Sequence, residues 1–595
     1  MAAAAGRLSG DATTSYDGAM TLPLGRRRQA SGIAAAALAA LLAATPALAK
    51  TPANDDRAVA SRYGSYLAAR HAETISAIDD AAQFMEQVLA ADPDNDRIIG
   101  HAFVLLVNDG RMDQAEKLAV RATPQSSWSP LANMVLALKS AKGGDFADAD
   151  KRLAGLVPRG PYEVLLPLLR AWVQVGLKQP DQALKTLGAL EAMDGFANFY
   201  NLHSALILDL AGRTKEAAAR FDKATAGQEA PVLRLVQAKG AFLERTGNAD
   251  AARKMYEDFL KQAPESLIIQ EALTRIKERK KPRAFVASPT EGMAEALFDM
   301  AAALRQESGG RSAMIYARLA HYMRSDLGPA LILIGNVLDS RAQFDDAIAA
   351  YRMIPKASPL AWSARLSIAQ DENEIKRTDD AVKELESMAK ERPERWDALI
   401  ALGDILRGRE RFAEAVKAYD RGLERIPRLE KRHWVLLYSR GIALERSKQW
   451  PRAEADFKKA LEFEPDQPFV LNYLGYSWVE QGQNLQEAQK MIERAVELRQ
   501  DDGYITDSLG WVFYRTGQYE SAVKQLERAV ELRPQDATIN DHLGDAYWKV
   551  GRYHEARFQW KRALSLKPDA DQVPLIEAKL AHGLAEAGKP EKSNN

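Results

Sequence analysis

The chain contains no cysteine. Disulfides, thiolate metal sites, cysteine nucleophiles and lipid attachment through a lipobox cysteine are therefore excluded. Charge of one sign is also lacking: 81 Lys and Arg balance 81 Asp and Glu. With no basic excess there is no long-range pull toward phosphate, so nucleic acid is not an expected partner. Long apolar runs are scarce. The densest, the Ala/Leu-rich stretch 32–44, falls short of the about 20 residues that cross a bilayer, so no integral membrane span is expected. Catalytic signatures are missing as well. There is no G-x-G-x-x-G, P-loop, G-x-S-x-G or H-E-x-x-H, and the eight histidines are scattered. No cofactor, no metal site and no catalytic residue is expected, and the chain does not read as an enzyme.

The segment before Lys50 has the order of an export signal. Arg26, Arg27 and Arg28 form a basic region, the Ala/Leu stretch follows, and Pro46 precedes Ala47-Leu48-Ala49, an A-x-A cleavage site. Asp11 and Asp17 suit such a region badly, so Met20 is an alternative start. The alternative to cleavage is an uncleaved anchor. The expected layout is a signal peptide at 1–49 and a flexible mature terminus at 50–61.

What the chain does have is a repeat of 34 residues. Ser508-Leu509-Gly510-Trp511 and His542-Leu543-Gly544-Asp545 stand 34 apart, as do Ala522 and Ala556, Ala529 and Ala563, and Pro534 and Pro568. Extended upstream, this register gives eight units starting at 294, 328, 362, 396, 434, 468, 503 and 537. It breaks over 267–293 and resumes as six units starting at 62, 96, 130, 164, 198 and 233. Alanine holds position 20 in every unit (Ala488 is position 21 by count, because the unit at 468 is one residue longer near Asn484), and position 8 is Gly or Ala in all but one, where Phe103 stands. Position 15 is often glycine, as in Gly110, Gly144, Gly482, Gly517 and Gly551, and position 32 is often proline. Gly suits a left-handed helix end, and Pro stops the second helix.

This pattern resembles the tetratricopeptide-repeat (TPR) family, most clearly in unit 537 with Leu543, Gly544, Tyr547, Ala556, Trp560, Ala563 and Pro568. The resemblance implies an all-α, right-handed superhelical solenoid of helix–turn–helix repeats in two arrays, 62–266 and 294–570. Between them, 267–293 reads as a linker whose basic run, Arg275 to Arg283, is either a solvated helix end or a docking spot for an acidic partner. After 570 a capping helix and a disordered tail, 571–595, are expected. One unit cannot bury its apolar face alone, so stability comes from stacking.

In TPR proteins, helix A positions 2, 5, 9, 12 and 13 line the concave, protein-binding face. Here they carry Asn472 and Tyr476, then Tyr504, Asp507, Trp511, Tyr514 and Arg515, then Asp541, Asp545 and Trp548. Aromatics among polar groups are the composition of interaction hot spots. Packing against the next unit is the alternative for Trp511 and Tyr514. The expected partners are proteins or peptides, with a membrane-associated complex as one candidate. An exported, many-unit layout is similar to the proteobacterial envelope TPR adaptors that deliver peptidoglycan hydrolases to a processing protease, although those are typically lipoproteins. The first reading is a periplasmic scaffold or adaptor, and the second a chaperone-like holder of exported clients. The export reading is checked by amino-terminal sequencing of the protein from an envelope fraction, which should begin at Lys50. A full-length cytosolic product refutes it.

Overall fold

A computed structural model describes residues 54–193, 195–226, 232–305 and 310–584. The expected signal peptide 1–49, residues 50–53 of the mature terminus, and the tail from 585 lie outside the described residues. Among the described residues every regular element is a helix, and the fold is an all-α solenoid of helix pairs. Two compact units divide the chain, Met1–Glu384 and Leu385–Asn595. The run of eight repeats expected at 294–570 is thus shared between them.

Each repeat turns at the same place. In every unit whose position 15 is described, that residue is left-handed, whether it is Gly110 (φ 89°), Gly482 (φ 68°) or Gly551 (φ 81°), or Ser76, Lys178, Ala342, Lys376, Glu410 or Lys448 at φ 58–67°. A side chain costs energy in this region. The turn is therefore imposed by the packing of the two helices, and glycine only makes it easier.

The packing requirement is visible at position 8. A Cβ on Gly240 would lie 2.1 Å from Tyr256 Oη, one on Gly335 2.3 Å from Tyr351, one on Gly403 2.4 Å from Tyr419, and one on Gly544 2.5 Å from Trp560. All four neighbours stand at position 24, on helix B. The large residue at 24 fills the space that glycine leaves at 8. Unit 96 reverses the sizes, with Phe103 at position 8 and Ala119 at position 24, both buried. All fourteen position-20 alanines, from Ala81 to Ala556, are fully buried. Cores packed to this density tolerate little added volume.

In the amino-terminal unit the break in register has a structural cause. Leu267–Lys277 is a helix A with no helix B; Arg279 makes the usual left-handed turn (φ 56°), and the chain then leaves the stack. It returns as Pro289–Leu304, which packs on Tyr162–Gly176, and Arg311–Met323 then packs on Asp96–Asp109. Residues 267–293 therefore hold a capping helix and the start of an inserted one, rather than a plain linker. Two arginines of the basic run are engaged within the chain. Arg275 donates to Glu244 at 2.7 and 3.0 Å, and Arg283 pairs with Glu291.

In the carboxyl-terminal unit the stack ends at Val573–His582, with Ile576 buried in the last core beside Ala522, Leu526 and Trp560. Ala522→Leu should lower thermal stability by about 1–3 kcal/mol, the usual cost of overpacking, with damage concentrated in the flanking units 468–502 and 537–570. Unchanged thermal unfolding would mean that position 20 is not the helix contact.

Candidate protein-binding site

The ten residues expected on the concave face lie on three successive inner helices, Pro468–Glu480, Gly503–Arg515 and Ala537–Lys549. Aspartate caps start the last two. Asp502 accepts from the backbone N–H of Tyr504 and Ile505, and Asp536 from that of Ile539. These caps fix where each helix begins, and so which side chains face inward.

The central feature is a stack of rings. The Trp511 indole lies parallel to Tyr514 (centroids 4.8 Å apart, 9° between planes) and to His542 of the next unit (4.0 Å, 16°). Trp511 Nε1 donates to Glu480 Oε1 at 2.6 Å, and Arg515 donates to the same oxygen at 3.1 Å. His542 Nδ1 is 2.9 and 3.1 Å from the two Asp507 carboxylate oxygens. Trp511, Tyr514, Tyr476 and Tyr504 are half-buried, and Arg515 is the exposed edge. Arg533 lies over the Tyr504 ring at 5.1 Å. Asn472 is half-buried, and its Oδ1 is enclosed without a hydrogen-bond partner. Burial raises the Tyr476 and Tyr514 hydroxyls above the ordinary phenol range, so both remain neutral donors.

The last third of the expected face is covered by the chain itself. Lys579, on the terminal helix, donates to Asp541 at 2.7 Å and to Asp545 at 2.8 Å. Asp545 also accepts from Trp560 Nε1 at 2.9 Å. Trp548 packs against Tyr553 and Trp560, and a Cβ on Gly583 would lie 2.0 Å from its ring. Asp541, Asp545 and Trp548 thus hold the terminal helix, while Tyr476, Trp511, Tyr514 and Arg515 remain at the surface. Sequence reasoning passed over Glu480, His542 and Lys579. Glu480 sits at position 13, where the positional rule already pointed. His542 stands at position 6 and carried no inward-facing signal.

The sequence comparisons agree with this architecture. Residues 76–138, 239–266, 374–430 and 537–570 match the tetratricopeptide repeat family, and 510–551 match a TPR repeat. These segments of the chain carry tetratricopeptide repeats. A TPR repeat-containing protein of Pseudomonas aeruginosa is 30% identical over 147 residues, 24% of this chain, and the match spans 24% of that relative's length. Among solved structures, the APC/C hetero-tetramer Cut9–Hcn1 aligns at 13% identity with a TM-score of 0.37, covering 88% of this chain and 96% of that one. A tetratricopeptide repeat protein from Parabacteroides merdae aligns at 16% identity with a TM-score of 0.34, covering 42% of this chain and 96% of that one.

The Asp507–His542 pair gives the site a pH dependence. Burial alone would lower the His542 pKa, but Asp507, with Asp541 and Asp545 nearby, outweighs it and holds the imidazole above its usual 6.5. A group raised in the folded state adds stability that is complete below its unfolded value, about 6.5, and is lost as the pH climbs through the folded value. The stability advantage of the wild type over Asp507→Asn should therefore shrink as the pH rises from 6 upward. Melting curves of the two proteins with the same pH slope would exclude a charged pair.

Proposed function

We propose that this protein is a non-enzymatic periplasmic scaffold or adaptor that holds a segment of a partner protein on the inner helices of its carboxyl-terminal unit. One observation carries the reading. Trp172 and Trp511 both occupy position 9 of their units, on helix A. Trp172 is fully buried beneath the chain's own helix Pro289–Leu304, whereas Trp511 remains half-exposed on its aromatic shelf. The inner face of the amino-terminal unit is thus already in use at this position, and that of the carboxyl-terminal unit is open to a partner. Large aromatic rings flanked by Arg515 and Glu480 supply apolar area and directional polar contacts together.

The periplasmic setting rests on the export-like order of 26–49. Partners among envelope or peptidoglycan-remodelling proteins, or a processing protease, follow from that setting and from the resemblance to the envelope adaptors. A chaperone-like holder of exported clients is the second reading. It is favoured only by the breadth of the aromatic shelf, since a holder needs area more than directional bonds.

Capture from envelope extract separates these readings. A few stoichiometric partners mark an adaptor, and many substoichiometric unfolded clients mark a holder. Trp511→Ala should weaken capture roughly thirtyfold, as expected for an aromatic anchor worth about 2 kcal/mol, with the helical CD signal intact. Trp548→Ala, which uncovers the terminal helix, should instead lower the melting temperature. Lowered stability with unchanged capture for Trp511→Ala would sink the shelf as the binding site.

A further inference from the structure

Glu244, Glu295 and Glu372 are buried acids of the amino-terminal unit, and each meets an arginine: Arg275, Arg234 and Arg352. Asp371 has no such partner. It lies on the inner helix Ala361–Glu374, is 2% exposed, and its Oδ2 has no hydrogen-bond partner. It hydrogen-bonds instead to a second carboxyl, that of Asp339. Asp339 stands at position 12 of the preceding inner helix, Gly328–Ser340, and is exposed. Neither carboxyl pairs with a cation among the described residues.

The groups around the pair offer it no counter-charge. Arg352 is held by Glu372 at 3.0 Å, and Arg377 pairs with Asp345 at 3.2 Å. Tyr351, close enough to feel both carboxyls, donates its hydroxyl to Asn336 at 2.7 Å. The charges that act most strongly on Asp371 are Asp339, Glu374 and Glu372, all acids. Burial and these neighbours push its carboxyl up to about 8, so at neutral pH a proton shared with Asp339 stands where a counter-ion would. Around Asp339 the inner-face positions expose Asn336, Ser340, Gln370 and Glu374, none of them basic.

We propose that Asp339 and Asp371 receive a lysine or arginine side chain of a protein partner laid along the inner helices of the amino-terminal unit. The incoming cation replaces the shared proton, and Asp371 then ionises. One ammonium or guanidinium suits two adjoining carboxylates, and a guanidinium can bond two oxygens at once. A calcium ion takes about six to eight oxygen ligands, and no group of three acids or histidines that could hold a metal gathers among the described residues. In the carboxyl-terminal unit the chain supplies the cation itself, since Lys579 meets both Asp541 and Asp545. At Asp339 and Asp371 it supplies none. The inference rests on the scaffold reading above and adds to it a second contact and the charge of the segment that makes it.

The probe is a fluorescently labelled Gly/Ser peptide with spaced lysines, beside a counterpart with norleucine in their place. Each is titrated against the full-length protein and followed by anisotropy. The lysine peptide should bind, and about tenfold or more tightly near pH 9 than near pH 6, because the shared proton must leave. Asp371→Asn should weaken it about tenfold and flatten the pH dependence. Asparagine keeps the shape of the protonated carboxyl and cannot ionise, so this variant should melt no lower than the wild type near pH 9. Asp339→Asn, at the surface, should weaken the peptide in the same way. Glu374→Gln removes an equal charge from the same face and should change affinity less than about twofold. Equal losses in Glu374→Gln and Asp371→Asn would mean diffuse attraction, and equal binding of the norleucine peptide would mean that charge is not recognised. Either result overturns the proposal. So does calcium ion that binds the wild type and not Asp371→Asn while the lysine peptide fails to bind, since the pair is then a metal site. If the lysine peptide fails and Trp511→Ala still weakens capture of the natural partner, the scaffold reading survives and only the basic contact falls.

Discussion

The close crossing of helix A over helix B within each repeat is the constraint on which everything else depends. Position 8 and position 24 share one volume, and their sizes trade against each other. Glycine faces tyrosine in units 233, 328 and 396 and tryptophan in unit 537, while the reverse arrangement, Phe103 with Ala119, does the same work in unit 96. Because the crossing is fixed, the turn after helix A has only one way to go. Lys178, Glu410 and Lys448 therefore adopt a left-handed backbone that their side chains disfavour. The strain is local and repeated, and the packing of many buried position-20 alanines sustains it.

The same crossing sets the inner helices side by side, and this is where polar chemistry gathers. Glu480 reaches Trp511 and Arg515, Asp507 reaches His542, and Tyr473 donates to Glu445, each across a boundary between units. A helix face lined with such pairs is not a plain apolar groove. Its charges are largely spent on holding neighbouring units in register, and what is left over for a ligand is the part of the ring stack that is not buried. That division is why the proposed binding site rests on the aromatic shelf rather than on a charge cluster.

Much of this was legible in the sequence because it is periodic. The 34-residue repeat, the position-8 and position-20 small residues, the turn at position 15 and the helix faces that carry Trp511 and Tyr514 all follow from counting. Even Phe103, the exception at position 8, is resolved once Ala119 is read beside it. What counting could not supply is contact between distant segments. Gly292 sits on Trp172, and Tyr322 donates to Glu116 across 206 residues. Neither contact leaves a trace in local spacing, so the segment 267–293 reads as a gap although it contains a cap and the start of an inserted helix. The covering of Trp548 was hidden for the same reason, since Gly583 follows a helix that lies outside the last full repeat.

The terminal helix Val573–His582 illustrates how polar pairing, and not only apolar cover, decides where a solenoid stops. An array that ended at residue 570 would leave Asp541 and Asp545 side by side without the Lys579 cation. Burial already raises the Asp545 pKa, and the neighbouring Asp541 raises it further. Lys579 meets both carboxylates, and although burial opposes its charge, the two acids together hold its pKa above the ordinary lysine value. An unpaired buried carboxylate costs far more than an exposed apolar patch of similar size. The cap must therefore be a helix that carries its lysine at this height, as well as an apolar residue, Ile576, facing the last core. The inserted helix Pro289–Leu304 obeys the same logic from the opposite side, bringing Glu295 to Arg234 and Asp299 to His203 as it covers Trp172. In each unit the inner face is closed where the chain brings both the apolar cover and the complementary charge. At Trp511 no such cover lies among the described residues: the neighbouring charges are already matched, and the stack of Tyr514, Trp511 and His542 stays partly exposed.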